Sequence, residues 1–268
     1  MENANNLYSR PGFNKIKKIV AMIGEKDWQC ESLVTSLLAV MLNRKGYKVG
    51  ILDTNIMKPS IPSLFGLEGV VEYNKFGALP VKTRDGIAIM VLTPFFEGRN
   101  IPIILEEQVV SGMIKQVWAD SVWGDLDILF IDITLGVDCI PLAVFQSIPL
   151  DGVIVTSPKY ILTKLLKKLI DLLTRKAYNI DELLEIPVIG FIENMSYLTC
   201  PDCGEQIDLC NTYRTNDAVA ETGLELIGRI PIDLQISELC RNGKVEGFSN
   251  EYLGESVKNI EKLLKDIA

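Results

Sequence analysis

The chain of 268 residues contains no histidine at all. That absence removes imidazole acid–base catalysis, Ser-His-Asp triads and His-ligated zinc in one step. An excess of positive charge is also missing: the formal net charge is -8, and no stretch gathers Lys and Arg into a basic face. A protein that tracks nucleic-acid phosphates needs such a face, so nucleic acid is not an expected partner. No window approaches the roughly 18–20 uninterrupted apolar residues of a membrane span, and the N-terminus has no signal-peptide apolar region. The expectation is a cytoplasmic protein without a membrane partner. In a reducing cytosol its six cysteines are read as thiols or metal ligands rather than disulfides.

What is present is an ordinary globular composition, 48% hydrophobic and 23% charged, long enough for one large α/β domain or two small ones. Short apolar β-branched runs alternate with amphipathic stretches. Strands are predicted at 18–23, 48–53, 86–92, 126–133, 152–156, 187–192 and 224–230. Helices are predicted at 31–45, about 106–118, 161–176, near 216–222, 233–242 and 251–267; the first stops at Gly46, a suitable residue just past a helix end. Nearly continuous apolar strands between helices predict a doubly wound, mostly parallel sheet covered by helices on both faces. Residues 1–17 are polar and read as a flexible arm, and 18–268 as a single domain with no linker or repeat.

In such folds ligands sit beyond the carboxyl ends of the strands. The loop after the first strand, Asp53, Asp132 and a cysteine loop over 195–212 all fall there. That loop holds Cys200-Pro201-Asp202-Cys203-Gly204, whose paired thiols suit zinc or an iron–sulfur cluster. A pair supplies two ligands where either kind of site usually takes four, so the others come from elsewhere in the chain or from a second copy. Cys210 is a possible third thiol, whereas Cys139 and Cys240 lie in apolar surroundings and read as core-filling residues. A redox dithiol is disfavoured, because the pair follows a loop rather than opening a helix.

The segments Asp53–Leu67, Val110–Gln116, Glu193–Tyr197 followed by Cys-Pro-x-Cys-Gly, and Ile227–Asp233, in that order, resemble the Mrp/ApbC-type proteins. These are deviant-Walker P-loop ATPases related to MinD that carry iron–sulfur clusters, and the resemblance runs from about Lys18 to the C-terminus. It implies a P-loop NTPase-like fold and a carrier that delivers clusters to apo iron–sulfur proteins. It also implies a [4Fe-4S] cluster shared across a two-fold dimer by Cys200 and Cys203 of each subunit, with zinc as the alternative metal. The family's nucleotide residues map onto Gly24, Lys26, Ser32, Asp53, Asp132, Asn194 and Asp233.

The phosphate loop departs from this family. Asp27, Trp28 and Cys30 stand where glycines are needed, and Glu31 replaces the central lysine; only the signature Lys26 and the magnesium-binding Ser32 keep their identity. Two unit charges about 4 Å apart at an effective dielectric of 20 interact by about 4 kcal/mol, so exchanging Lys for Glu beside a phosphate is a swing of up to about 8 kcal/mol before relaxation. The whole binding free energy of a micromolar ligand is about 8 kcal/mol. Ordinary binding of ATP and Mg²⁺ is therefore expected to be lost or severely weakened, leaving an ATPase-derived chain with little or no hydrolysis. Two other readings stay open, an active ATPase with an atypical loop and a non-catalytic zinc-binding subunit. A subunit that keeps Lys26 without its own pocket also fits a heterodimer with a nucleotide-competent paralogue as well as a homodimer.

Overall fold

The computed structural model describes residues 14–25, 30–56, 59–68, 71–75, 77–92, 107–135, 139–158, 186–209 and 223–265. The first strand, β1 (Asn14–Glu25), is centred on the run Ile19-Val20-Ala21-Met22-Ile23, whose odd and even residues enter two different cores. Ile19, Ala21 and Ile23 face one side of the sheet, and Val20 and Met22 the other. The two-residue side-chain period of a strand requires this split when both faces are buried.

The chain then alternates through α1 (Cys30–Arg44), β2 (Val49–Asp53), α2 (Ile61–Leu64), β3 (Val71–Asn74), β4 (Gly77–Lys82), β5 (Ala88–Val91) and α3 (Glu107–Asp120). It continues through β6 (Gly124–Leu135), α4 (Cys139–Ser147), β7 (Gly152–Pro158), β8 (Val188–Asn194), β9 (Tyr197–Thr199), β10 (Gln206–Asp208) and β11 (Leu226–Arg229). It closes with α5 (Leu234–Arg241) and α6 (Gly254–Lys265). Nine of the strands form one sheet in the order β11-β8-β7-β1-β6-β2-β5-β4-β3. Pairing is parallel from β11 to β5 and antiparallel from β5 through β4 to β3. Residues of α3 and α4 cover one face, and residues of α1, α5 and α6 the other. The doubly wound, mostly parallel architecture expected from the alternation is the one observed.

Several boundaries and elements differ from the sequence expectation. β1 begins at Asn14, so it takes in residues 14–17, which the sequence assigned to the arm. The Asn14 side chain explains the early start: its Nδ2 donates to the Ser121 carbonyl at 2.9 Å, and its Oδ1 accepts from the Trp123 amide at 2.7 Å. The antiparallel β3–β4 pair was not anticipated, because its strands are half-exposed and lack a long apolar run. Helix α4 was also missed; it is short and apolar, with no polar face to give it a helical period. The helices expected at 161–176 and near 216–222 lie outside the described residues, as do Lys26 and Cys210. Among the described residues, no helix is long and apolar enough to cross a membrane.

Candidate functional site

Parallel pairing places the C-terminal ends of β1, β2 and β6 side by side, with Asp53 level with Asp132 in the register. Helix α1 starts just beyond β1 and brings Ser32 and Thr35, one turn apart, onto Asp132. Ser32 Oγ donates to Asp132 Oδ2 at 2.7 Å, and Thr35 Oγ1 stands 2.6 Å from Asp132 Oδ1 and 2.8 Å from the Glu31 carbonyl. Asp53 turns its carboxylate back onto its own loop, accepting from the amides of Asn55, Ser60 and Ile61 at 2.9, 3.0 and 3.2 Å. Gly24, Ser32, Asp53 and Asp132 are thus gathered in one place, as the sequence suggested.

Glu31, which the sequence places at the centre of the phosphate loop, joins this group through contacts the sequence did not predict. Its side chain is buried, Oε1 accepts from Thr134 Oγ1 at 2.5 Å, and Oε2 has no hydrogen-bond partner among the described residues. A Cβ on Gly24 would stand 2.6 Å from Glu31 Oε2 and 2.7 Å from Glu31 Cβ, so the carboxylate folds directly against the end of β1. An anion at the start of α1 is favoured by the helix dipole and by the free amides of the first turn. Here the protein's own carboxyl stands at that position. Burial is the first cause that pushes the Glu31 carboxyl up, to about 7, and the neighbouring Asp132 charge adds to it. The Asp53 carboxyl is raised by burial and then by Asp132, and the Asp132 carboxyl by burial against the opposing pull of the Ser32 and Thr35 hydroxyls.

Of the other expected nucleotide residues, Lys26 lies outside the described residues, and Asn194 and Asp233 are not in this group. Asn194 ends β8; its Oδ1 accepts from the Met195 amide, while its Nδ2 is buried without a partner. Asp233 is the N-cap of α5, accepting from the Gln235 amide at 2.7 Å and from the Tyr252 hydroxyl at 3.0 Å. The tail motif at Asp233 therefore has a structural explanation that needs no ligand.

The cysteine loop is a hairpin. From β8 the chain passes through Met195, at a positive φ of 52°, into β9, turns at residues 200–205 and returns in β10. The Cys200 amide donates to the Glu205 carbonyl at 2.8 Å, and the Gly204 amide to the Cys200 carbonyl at 2.9 Å, which closes the turn and sets both thiols at its tip. Cys200 is half-buried and Cys203 exposed. Amide hydrogen bonds from Cys203 and Asp202 hold the Cys200 thiol below its usual range. Cys240 is half-buried on α5, and burial raises its thiol. Among the described residues no group of three His, Cys, Asp or Glu side chains could hold a metal ion, so the hairpin tip offers two thiols and needs further ligands.

Exposed apolar residues gather on the hairpin below this tip and on the segment beside it. Of the large hydrophobic residues exposed among the described ones, all but Val109 lie on the hairpin or the segment beside it: Met195, Leu198, Ile207, Leu209, Ile232 and Leu234. Leu198 forms a bridge with Ile232, and the Ile232 amide donates to the Tyr197 carbonyl, which draws these side chains into one area. Leu234 is 83% exposed at the first position of α5. A cluster of this kind marks an interaction surface far more often than isolated exposed residues do.

Comparison with known proteins adds the following. The family model described as ParA, NUBPL iron-transfer P-loop NTPase, matches residues 15–268. The iron-sulfur cluster carrier protein of Clostridium perfringens is 33% identical over 253 residues, which is 91% of this chain and 84% of that protein. The iron-sulfur cluster carrier protein of Methanocaldococcus jannaschii is 37% identical over 237 residues, covering 87% and 79%. Among solved structures, a nucleotide-binding protein of Archaeoglobus fulgidus in complex with ADP matches with a TM-score of 0.74 at 33% identity, over 88% of this chain and 90% of that one. MinD in the Aquifex aeolicus MinC:MinD complex shares the fold, with a TM-score of 0.61 at 15% identity over 94% and 97%.

Proposed function

The chain belongs to the ParA-type family of NUBPL iron-transfer P-loop NTPases, and from that membership we propose that it carries a [4Fe-4S] cluster between two copies of itself, with a nucleotide site that no longer works in the usual way. The observation that carries the proposal is the hairpin tip: two thiols, Cys200 half-buried and favoured as thiolate by backbone amides and Cys203 exposed, on a hairpin whose strands and base bear exposed apolar residues. Two such tips meeting about a two-fold axis supply four thiolates, the complement a [4Fe-4S] cluster takes. The surrounding hydrophobic residues would then be covered by the partner, and the cluster would pass to apo iron–sulfur proteins by exchange of thiolate ligands.

Iron and sulfide analysis after anaerobic purification tests this reading. Brown protein with about four irons per pair of chains is the expected result; a colourless protein with stoichiometric zinc would overturn it. The interface has its own test. Leu198→Asp places a charge on the exposed side of β9 without entering the core, so the variant should run as a monomer in light scattering and hold little iron after reconstitution, while the parent runs as a cluster-loaded dimer. An unchanged dimer would remove the apolar surface from the argument.

The reading of the nucleotide site rests on Glu31, whose carboxylate lies against Gly24 where a phosphate would need to approach. Calorimetry with ATP and Mg²⁺ should give no binding in the micromolar range. Micromolar binding would show that Glu31 swings out, or that residues 26–29 supply a compensating charge.

A further inference from the structure

A hairpin with three residues in each strand is marginal by itself, and its direction must be set from outside. The backbone bonds that join it to the body run along β9: the Ser196 amide donates to the Ile230 carbonyl, the Ile232 amide to the Tyr197 carbonyl, and Leu198 bridges to Ile232. A single line of attachments is an axis about which the hairpin can rock. Arg229, at the end of β11, reaches across that axis. Its Nη2 donates to Asp208 Oδ1 on β10 at 2.7 Å, its Nε donates to Glu193 Oε2 at 3.1 Å, and its guanidinium carbon lies 5.4 Å from the centre of the Tyr197 ring. Tyr197 and Asp208 face each other in the register and form the base of the hairpin. Glu193 belongs to β8 and is buried, so the fork is anchored in the main sheet.

We propose that Arg229 is the positioning residue of the cysteine pair, tying the base of the hairpin to β8 and thereby fixing where the Cys200 and Cys203 thiols stand. The geometry makes the lever long. Three strand residues span about 10 Å, so rocking the base by about 10° moves the tip by nearly 2 Å. A metal site tolerates displacements on the order of 0.5 Å. The planar guanidinium suits the task, because it presents donors in fixed directions to two carboxylates while stacking on a ring. The part of the proposal that concerns the cluster rests on the carrier reading above.

The test compares Asp208→Asn, Arg229→Lys and the conservative Asp208→Glu in the full chain. Asp208→Asn leaves the buried Glu193 with its cation and takes the charge out of the Arg229–Asp208 pair, which weakens the tie to the hairpin without touching the core. In the metal-free proteins, hydrogen exchange at residues 197–208 should speed up about tenfold for Asp208→Asn and Arg229→Lys, with Asp208→Glu restoring the parent rate. In reconstituted protein the same two variants should lose iron to a chelator about tenfold faster and, after one-electron reduction with dithionite, show an altered electron paramagnetic resonance line shape, again restored by Asp208→Glu. Parent-like exchange in both variants overturns the proposal. So does a loosened hairpin with unchanged iron loss and line shape, since Arg229 would then serve the fold alone. If the parent chain takes up no cluster, the carrier reading fails, and the exchange arm still decides whether Arg229 holds the hairpin.

Discussion

Serine at both Cys200 and Cys203 is expected to reduce the iron bound after anaerobic reconstitution to background while leaving the fold intact. The thiolate is the ligand iron takes, and a serine hydroxyl stays protonated at neutral pH and offers iron a poor donor. The amides of Cys203 and Asp202 that favour the Cys200 thiolate have no comparable partner in a hydroxyl. Because the tip is exposed, these substitutions remove little packing, and surface changes of that kind usually alter stability by about 0.5 kcal/mol or less. Unfolding curves should therefore overlay those of the parent. If two copies share one cluster, even a single Cys200→Ser removes two of four ligands at once, so its iron content should fall steeply rather than by half. Retained iron in the double variant would place the ligands elsewhere in the chain.

Glu31→Gln is expected to make the metal-free protein more stable at alkaline pH and to flatten its pH dependence. The folded chain holds the Glu31 proton up to about 7, against 4.5 for an unperturbed glutamic acid, first because the carboxyl is buried and then because Asp132 is near. Between those values the native state binds more protons than the unfolded state, so stability falls as pH rises. The contribution is fully present below about 4.5 and gone above about 7. A shift of that size corresponds to on the order of 3 kcal/mol. Glutamine keeps an acceptor for Thr134 and carries no charge to bury. Urea denaturation at pH 5 and pH 8 reads the difference: the variant and the parent should agree at pH 5 and separate by about 2–3 kcal/mol at pH 8. The raised carboxyls of Asp53 and Asp132 act in the same direction, so part of the slope should persist in the variant. Parallel profiles for the two proteins would show that Glu31 ionises freely.

Much of this was legible before the structure. The β-branched runs fixed the strands of the parallel sheet because both their faces are buried, which leaves an unbroken apolar signature. Asp53, Asp132 and the cysteine pair could be placed at strand ends by counting along those runs. The edge pair β3–β4 was hidden because half-exposed strands carry mixed sequences. Charge reasoning singled out Glu31 as a misfit, yet it could not foresee that the side chain folds onto Gly24 and Thr134, since that contact joins residues 103 positions apart. Arg229 was hidden for a similar reason: the residues it joins lie in three separate strands, and neither spacing nor composition relates them. Asp233 is a motif residue for which the structure shows a local role, as a helix cap, that the sequence did not single out.

In the sheet order, β7 stands between β1 and β8. The two strands therefore end about 10 Å apart, with a neighbour between them that belongs to neither site. The consequence concerns inheritance. Substitutions at the end of β1 and the start of α1 act two strands away from β8, which leads into the hairpin, and changes at the hairpin act two strands away from the end of β1. A lineage with this architecture can let one chemistry drift while the other is kept, with the sheet carrying both histories at once.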